Sequence, residues 1–403
     1  MLVLAGCVAW LFVASDRALA TTPWLGLNGN TVKYLGPVDT FSRHGIVYDR
    51  SFELQAGTVP SELEQGFEGA EFEKKLKEDY EYGMTPVSVI EYQGYGRNGA
   101  FSSDPAFPRE RTPSEEREGR NTIAGYVEGF VRTASRILEL VHADYPGMQV
   151  LFEPMNEPWL DTAPQYYAPE YADVIARLLP AAKAAGIPLQ DIYVAATGAA
   201  RFAVEGPGEP ERWNPAGWVR AMYEAQPALE TEVQGWYVHP YGPPRGTNGG
   251  AMDDGEGIES AALLRTRMTS GENNILVSEI GFCDAEIGGE QCGGSHYPAV
   301  ENGMQAAEAL TETLKVASAY REAGWLKALI VYSRNDRGWA MQVLHGKEVE
   351  LTGMGEALLA FADSPPAQAA AAAAAPVQAG AGPLTGLPCA PGSLCAALGG
   401  LWL

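Results

Sequence analysis

Histidine is scarce in this 403-residue chain. There are five, and none stands in an HExxH pattern, so a histidine-built zinc site has little material. Positive charge is scarce too: Lys and Arg number 28 against 51 Asp and Glu, a formal net charge of −23. Such a surface repels phosphate backbones and anionic lipid heads, which argues against a nucleic-acid partner and a peripheral membrane role. No GxGxxG or GxxxxGK[ST] loop follows an apolar run, so the chain is expected to carry no nucleotide cofactor, and no metal. Beyond the first residues there is no apolar run long enough for a membrane span. Hydrophobic residues still make up 46% and charged residues 20%, which is a globular composition and not a disordered one.

Cysteine is rare as well, and its placement bears on processing. Residues 1–13 are almost wholly apolar, and Ala18-Leu19-Ala20 follows as a small-x-small cleavage pattern. Residues 1–20 therefore read as a signal peptide cut before Thr21, with a secreted or extracellular product. Leu4-Ala5-Gly6-Cys7 offers a second reading, a lipobox with Cys7 as the lipidated residue, although only six residues precede Cys7. A buried N-terminal helix is a third reading, and the run lacks the amphipathic period it needs. The other four cysteines fall in two close pairs, Cys283 with Cys292 and Cys389 with Cys395. Local, even pairing in an exported chain suggests two disulfides; four free buried thiols are the alternative.

From residue 22 to about 362, strand-like runs alternate with helix-period segments. Eight runs qualify: 24–28, 45–50, 86–92, 148–155, 192–197, 233–239, 275–280 and 328–333. They are near-continuously apolar, as strands buried on both faces are. Helical signals lie between most of them. Ser61 with Glu64 forms a capping box. Ile123, Val127, Phe130, Val131, Ala134, Ile137, Leu138 and Val141 recur at three-to-four spacing. Gly186 and Gly324 stand where helix C-caps belong. Eight alternations predict a (β/α)8 TIM barrel over residues 21–363, with an open doubly wound sheet as the alternative. Residues 364–388 read as an Ala/Pro/Gly-rich linker, and 389–403 as an appendage too short for a domain.

In such a barrel chemistry sits at the C-terminal strand ends. The loops at 93–120, 198–214, 242–257 and 283–299 are long and polar, and they carry Tyr95, Phe101, Phe107, Trp213 and Tyr297. Aromatics on one rim suit the stacking of sugar rings, and they equally suit the packing of the loops. Strand four ends in Asn156-Glu157-Pro158 and strand seven in Ser278-Glu279. Two carboxyl groups across one pocket are what glycosidic cleavage needs, one to protonate the leaving oxygen and, in a retaining enzyme, one to attack the anomeric carbon, the two groups standing about 5–5.5 Å apart. Glu153 lies on strand four with the same side parity as Glu157. It reads as an inward-facing carboxylate without an assigned role.

This ordered set resembles clan A of the retaining glycoside hydrolases, most closely the cellulase-type members of family five and its relatives. The resemblance spans Trp24 to about Ala362. It implies that Glu157 is the acid/base and Glu279 the nucleophile, and that Asn156 bonds the sugar 2-hydroxyl. His239-Pro240-Tyr241 matches the family's His-x-Tyr, in which the Tyr orients the nucleophile and the His lines the subsite near the acid/base. Arg50 resembles the Arg that supports the nucleophile. The implied activity is cleavage of β-glycosidic bonds in a poly- or oligosaccharide, by a monomer. The alternative is a catalytically weak carbohydrate-binding barrel. One departure stands out: the family usually places a Trp at the end of strand eight, whereas here the strand runs into Ser333-Arg334-Asn335-Asp336 and the nearest Trp is Trp339. Asn28, Tyr92, Glu91 and Trp159 are further subsite candidates.

Overall fold

The computed structural model describes residues 24–29, 39–55, 67–91, 123–158, 168–196, 215–241, 257–265, 274–283, 306–333, 340–345 and 348–364. All belong to one compact unit. The proposed leader and appendage, and the linker apart from Ser364, lie outside them, as do the four long loops apart from their end residues.

Eight parallel strands form one sheet: β1 (Leu25–Asn28), β2 (Tyr48–Gln55), β3 (Thr85–Glu91), β4 (Leu151–Pro154), β5 (Tyr193–Ala195), β6 (Gly235–Val238), β7 (Ile275–Ile280) and β8 (Leu326–Tyr332). Their order is β4-β3-β2-β1-β8-β7-β6-β5. A parallel bridge between Phe152 and Ile192 joins the two ends of that series, so the sheet closes on itself as a TIM barrel. Each of the eight expected runs is a strand, within a few residues. The largest difference is at β2, which runs on to Gln55 instead of ending at Arg50. Its register with β3 shifts between Asp49 and Phe52, so the ladder is interrupted where Arg50 sits.

Helices fill the intervals because their apolar faces have a sheet to cover. The helix Ile123–Asp144 buries Ile123, Val127, Phe130, Ala134, Ile137 and Val141 of the predicted stripe, with Tyr126 beside them, while Val131 and Leu138 are partly buried at its edge. Phe130 is fully buried and meets Phe152 of β4 edge-on at 6.4 Å; truncating such a residue to Ala costs about 3–5 kcal/mol. Helices Ala168–Ala184 and Ala306–Glu322 end at Gly186 (φ 81°) and Gly324 (φ 79°), the left-handed caps expected from the sequence. The helix Phe67–Tyr82 precedes β3; the capping box at Ser61 lies outside the described residues.

One part of the fold had no signal in the sequence reading. After β8 an antiparallel hairpin, Gln342–His345 with Glu348–Leu351, leads into a final helix, Gly353–Ala362. Thr352 caps that helix, accepting a bond from the Gly355 amide at 3.2 Å. The helix packs on Ala306–Glu322 and sets Phe361 edge-on to the buried Trp24 ring, 6.1 Å away, beneath the start of β1. No helix among the described residues is long and apolar enough to cross a membrane.

Candidate active site

The C-terminal strand ends bring the predicted polar residues together around Glu279. Asn28, at the end of β1, donates from Nδ2 to Glu279 Oε1 at 3.1 Å. Arg50 on β2 donates from Nη1 to the same oxygen. Tyr241, three residues past β6, donates its hydroxyl to Glu279 Oε2 at 2.6 Å. Burial, and then the charge of Glu279, push the Tyr241 hydroxyl well up, so it remains a donor at any working pH. Glu279 is itself only 6% exposed. Burial alone would raise its carboxyl. The attraction of His239 and Arg50, with the bonds from Tyr241 and Arg50, outweighs burial and holds Glu279 below the usual carboxylate range. Glu279 is therefore an ionised carboxylate at neutral pH.

Glu157 faces it from the end of β4. Its Oε1 lies 2.7 Å from His239 Nδ1, and the same ring nitrogen is 3.5 Å from Glu279 Oε2. The other ring nitrogen meets Ser278 Oγ at 3.0 Å. Nδ1 can give a proton to an ionised Glu157 or accept one from a protonated Glu157. The Ser278 hydroxyl can donate or accept in turn. One oxygen of Glu157 and one of Glu279 lie within 4.8 Å of each other, with His239 between them. Three such ligand atoms are close enough to share one cation. We do not read a metal site here, because the buried Arg50 guanidinium already supplies the positive charge beside Glu279.

The backbone that aims Asn156 and Glu157 is unusual. Met155 (φ 68°) and Glu157 (φ 42°) both lie in the left-handed region, which costs non-glycine residues on the order of 1–3 kcal/mol each. Neighbouring groups hold this turn in place. The Tyr171 hydroxyl donates to Pro154 O at 2.8 Å and the Tyr237 hydroxyl to Met155 O at 2.7 Å. Glu91, at the end of β3, accepts the Asn156 amide at 2.7 Å. Asn156 Oδ1 takes a bond from Arg50 Nη2 at 2.7 Å.

Of the predicted site residues, Glu157, Glu279, Asn156, His239, Tyr241, Arg50 and Asn28 converge in this one pocket. Tyr92, Trp159 and Trp339 lie outside the described residues. Glu91 holds the Asn156 backbone, a role the sequence did not suggest. The sequence reading also passed over Tyr332. It is the last residue of β8, where the family's usual Trp would stand, and its ring meets that of Tyr241 edge-on at 6.3 Å. Its place at the end of a buried strand is the signal the sequence offers for it. Cys283, four residues beyond Glu279, packs against both tyrosines and is disulfide-bonded. Its expected partner Cys292, like Cys389 and Cys395, lies outside the described residues.

No protein-family model matches the chain, and comparison with curated proteins finds no match. Solved structures do match. An endo-β-1,4-glucanase from Xanthomonas axonopodis pv. citri, carrying three substitutions, aligns at 15% identity over 84% of this chain and 99% of its own, with a TM-score of 0.51. A family 5 xyloglucanase from Paenibacillus pabuli aligns at 11% identity over 85% of this chain and 99% of its own, with a TM-score of 0.50. A family 39 glycoside hydrolase from Bacteroides cellulosilyticus aligns at 15% identity over 85% of this chain and 64% of its own, with a TM-score of 0.50. At these identities the likeness is one of fold: the chain has the barrel that these glycoside hydrolases have.

Proposed function

We propose that the protein is a retaining glycoside hydrolase that cleaves β-glycosidic bonds of a poly- or oligosaccharide. The observation that carries this reading is the asymmetric pair: Glu279 fixed by Asn28, Arg50 and Tyr241, and Glu157 within 4.8 Å bonded to His239. In the first step a Glu279 oxygen bonds to the anomeric carbon. The bond to the leaving oxygen breaks, and that oxygen takes the proton of Glu157. In the second step Glu157 removes a proton from water, whose oxygen displaces Glu279 from the same carbon. Two inversions give net retention. The glucanase and xyloglucanase likenesses make β-linked glucans the first substrates to screen, followed by mannans and xylans.

Proton NMR of the first-formed product tests the mechanism. The expected anomer has the configuration of the substrate, and an inverted product overturns the reading. The same spectra assign the glutamates. With an activated aryl glycoside and added azide, Glu157→Ala should yield a glycosyl azide of retained configuration and Glu279→Ala one of inverted configuration. We further propose that residues 1–20 direct export and that the mature enzyme works outside the cell as a monomer. N-terminal sequencing of protein recovered from the medium should begin at Thr21; a retained leader removes that part of the proposal.

A further inference from the structure

Arg50 bonds three side chains in the barrel mouth, and one of its partners has no part in the chemistry above. Its Nη1 bonds Glu279 and its Nη2 bonds Asn156 at 2.7 Å. Its Nε donates to Glu153 Oε2 at 2.8 Å. Glu153 sits on β4, deeper in the barrel than Glu157, and its side chain has no exposed surface. Its other oxygen, Oε1, is buried without a hydrogen-bond partner. Burying an ionised carboxylate with one oxygen unsatisfied is costly. A glutamine would offer an amide oxygen to the same Nε–H, but without a charge. What glutamate adds is the negative charge.

We propose, resting on the glycosidase reading, that Glu153 is a positioning residue that divides the charge of Arg50 between two carboxylates, so that Glu279 is held ionised and in place but keeps the basicity a nucleophile needs. Arg50 paired with Glu279 alone would spend its whole field on the nucleophile. A carboxylate so strongly stabilised attacks carbon more slowly, because nucleophilicity falls with basicity. With Glu153 on the opposite edge of the guanidinium, one positive charge serves two negative ones. The fork geometry also fixes the guanidinium plane, so Nη1 and Nη2 point at Glu279 and Asn156 together. The groups facing Glu279 and Arg50 from the surrounding strands are Asn28 on β1, Glu91 on β3, Glu153, Asn156 and Glu157 on or just past β4, His239 and Tyr241 past β6, and Tyr332 on β8, with the buried Tyr237 hydroxyl close to both Arg50 and Glu153. Among them Glu153 is the carboxylate bonded to Arg50 from the side away from Glu279.

The test reads the titration of Glu279 directly. Carboxyl-labelled glutamate is followed by carbon NMR in the wild type and in Glu153→Gln, with the Glu279 resonance assigned by its loss in Glu279→Gln. The expected result is a move of the Glu279 titration to lower pH, on the order of one unit. The acid limb of kcat/KM should move the same way, kcat should fall about tenfold, and KM should change little. Glu153→Asp keeps the charge at a longer reach and should show a smaller shift of the same sign. It also serves should Glu153→Gln fail to fold. A Glu279 titration that does not move in a folded variant overturns the proposal, whatever happens to stability. A wild type that cleaves no glycoside overturns the glycosidase reading instead, and leaves the NMR comparison standing.

Discussion

Asp49 and Arg50 are neighbours on β2, and they face opposite sides of the barrel wall. Arg50 points inward to Glu279, Glu153 and Asn156. Asp49 points outward, under the helix Phe67–Tyr82, where it pairs with Lys75; the same Lys75 bonds Asp79 at 2.7 Å. In both clusters a fully buried cation bonds two buried carboxylates, and Lys75 also lies 3.9 Å from the partly exposed Glu78. They differ in what surrounds them. The inner cluster meets Asn28, Tyr241 and His239, which stabilise charge on Glu279, and it opens onto a pocket that holds a second glutamate. In the outer cluster burial is the largest influence on Asp79. Burial, followed by the charge of Asp49, pushes the Asp79 carboxyl well above its usual range, and Lys75 offsets only part of that. A similar charge composition thus surrounds the candidate nucleophile on one side of the wall and attaches a helix on the other.

Breaking each cluster should therefore give opposite profiles. The largest effect belongs to Glu279→Gln, which should lose glycosidase activity by a factor on the order of 10⁴ or more. Its Tm should change little in comparison, because Arg50 keeps Glu153 and Asn156. Lys75→Met should do the reverse. It leaves two buried acids without their cation, a change that costs about 3–5 kcal/mol, while kcat per folded molecule stays near the wild-type value. Thermal melts and active-site-normalised rates on the two variants check this. An active-site defect in folded Lys75→Met would show that the outer cluster also sets the position of Arg50 through the register shift beside it.

The contrast also explains what could be read from the amino acids. Glu157, Glu279, Asn156, His239 and Tyr241 sit at or just past the ends of apolar runs, and a polar residue ending a buried strand is conspicuous. The eight strands were visible for the same reason, since near-continuous Val, Ile, Leu and Tyr runs leave few other folds. Lys75 and Asp79 were not legible. They stand in EKKLKEDYEY, a segment with low mean hydropathy that reads as a solvated helix face, and only tertiary contact shows that Lys75 and Asp79 are buried beside Asp49. The pairing of Arg50 with Glu153 across 103 positions is of the same kind. The β2 extension past Arg50 was hidden because the polar stretch Asp49-Arg50-Ser51 looks like a strand end, whereas Asp49 and Arg50 each find a buried partner. The hairpin went unread because residues 342–351 are a short stretch of mixed polarity without a sustained period.

The finest distinction between the clusters is their response to pH, because the two shifted carboxyls have opposite signs. Asp79 is raised in the folded state. Its contribution is fully present below the ordinary carboxylate range and is lost as pH rises through the raised value, where a buried charge has to form. Glu279 is lowered. Its contribution is present above the ordinary range and is lost as pH falls through the lowered value. Wild-type stability should thus erode at both ends, from different sides of the same strand. Asp79→Asn is neutral at every pH and should remove the loss on the alkaline side, leaving a protein more stable than wild type at neutral pH and above. Glu279→Gln should leave that side unchanged and flatten the acid side. Denaturant midpoints measured across pH for the wild type and both variants separate the two. An Asp79→Asn variant whose stability keeps the wild-type fall with rising pH would mean that Asp79 is ionised in the folded protein, with Lys75 carrying both acids.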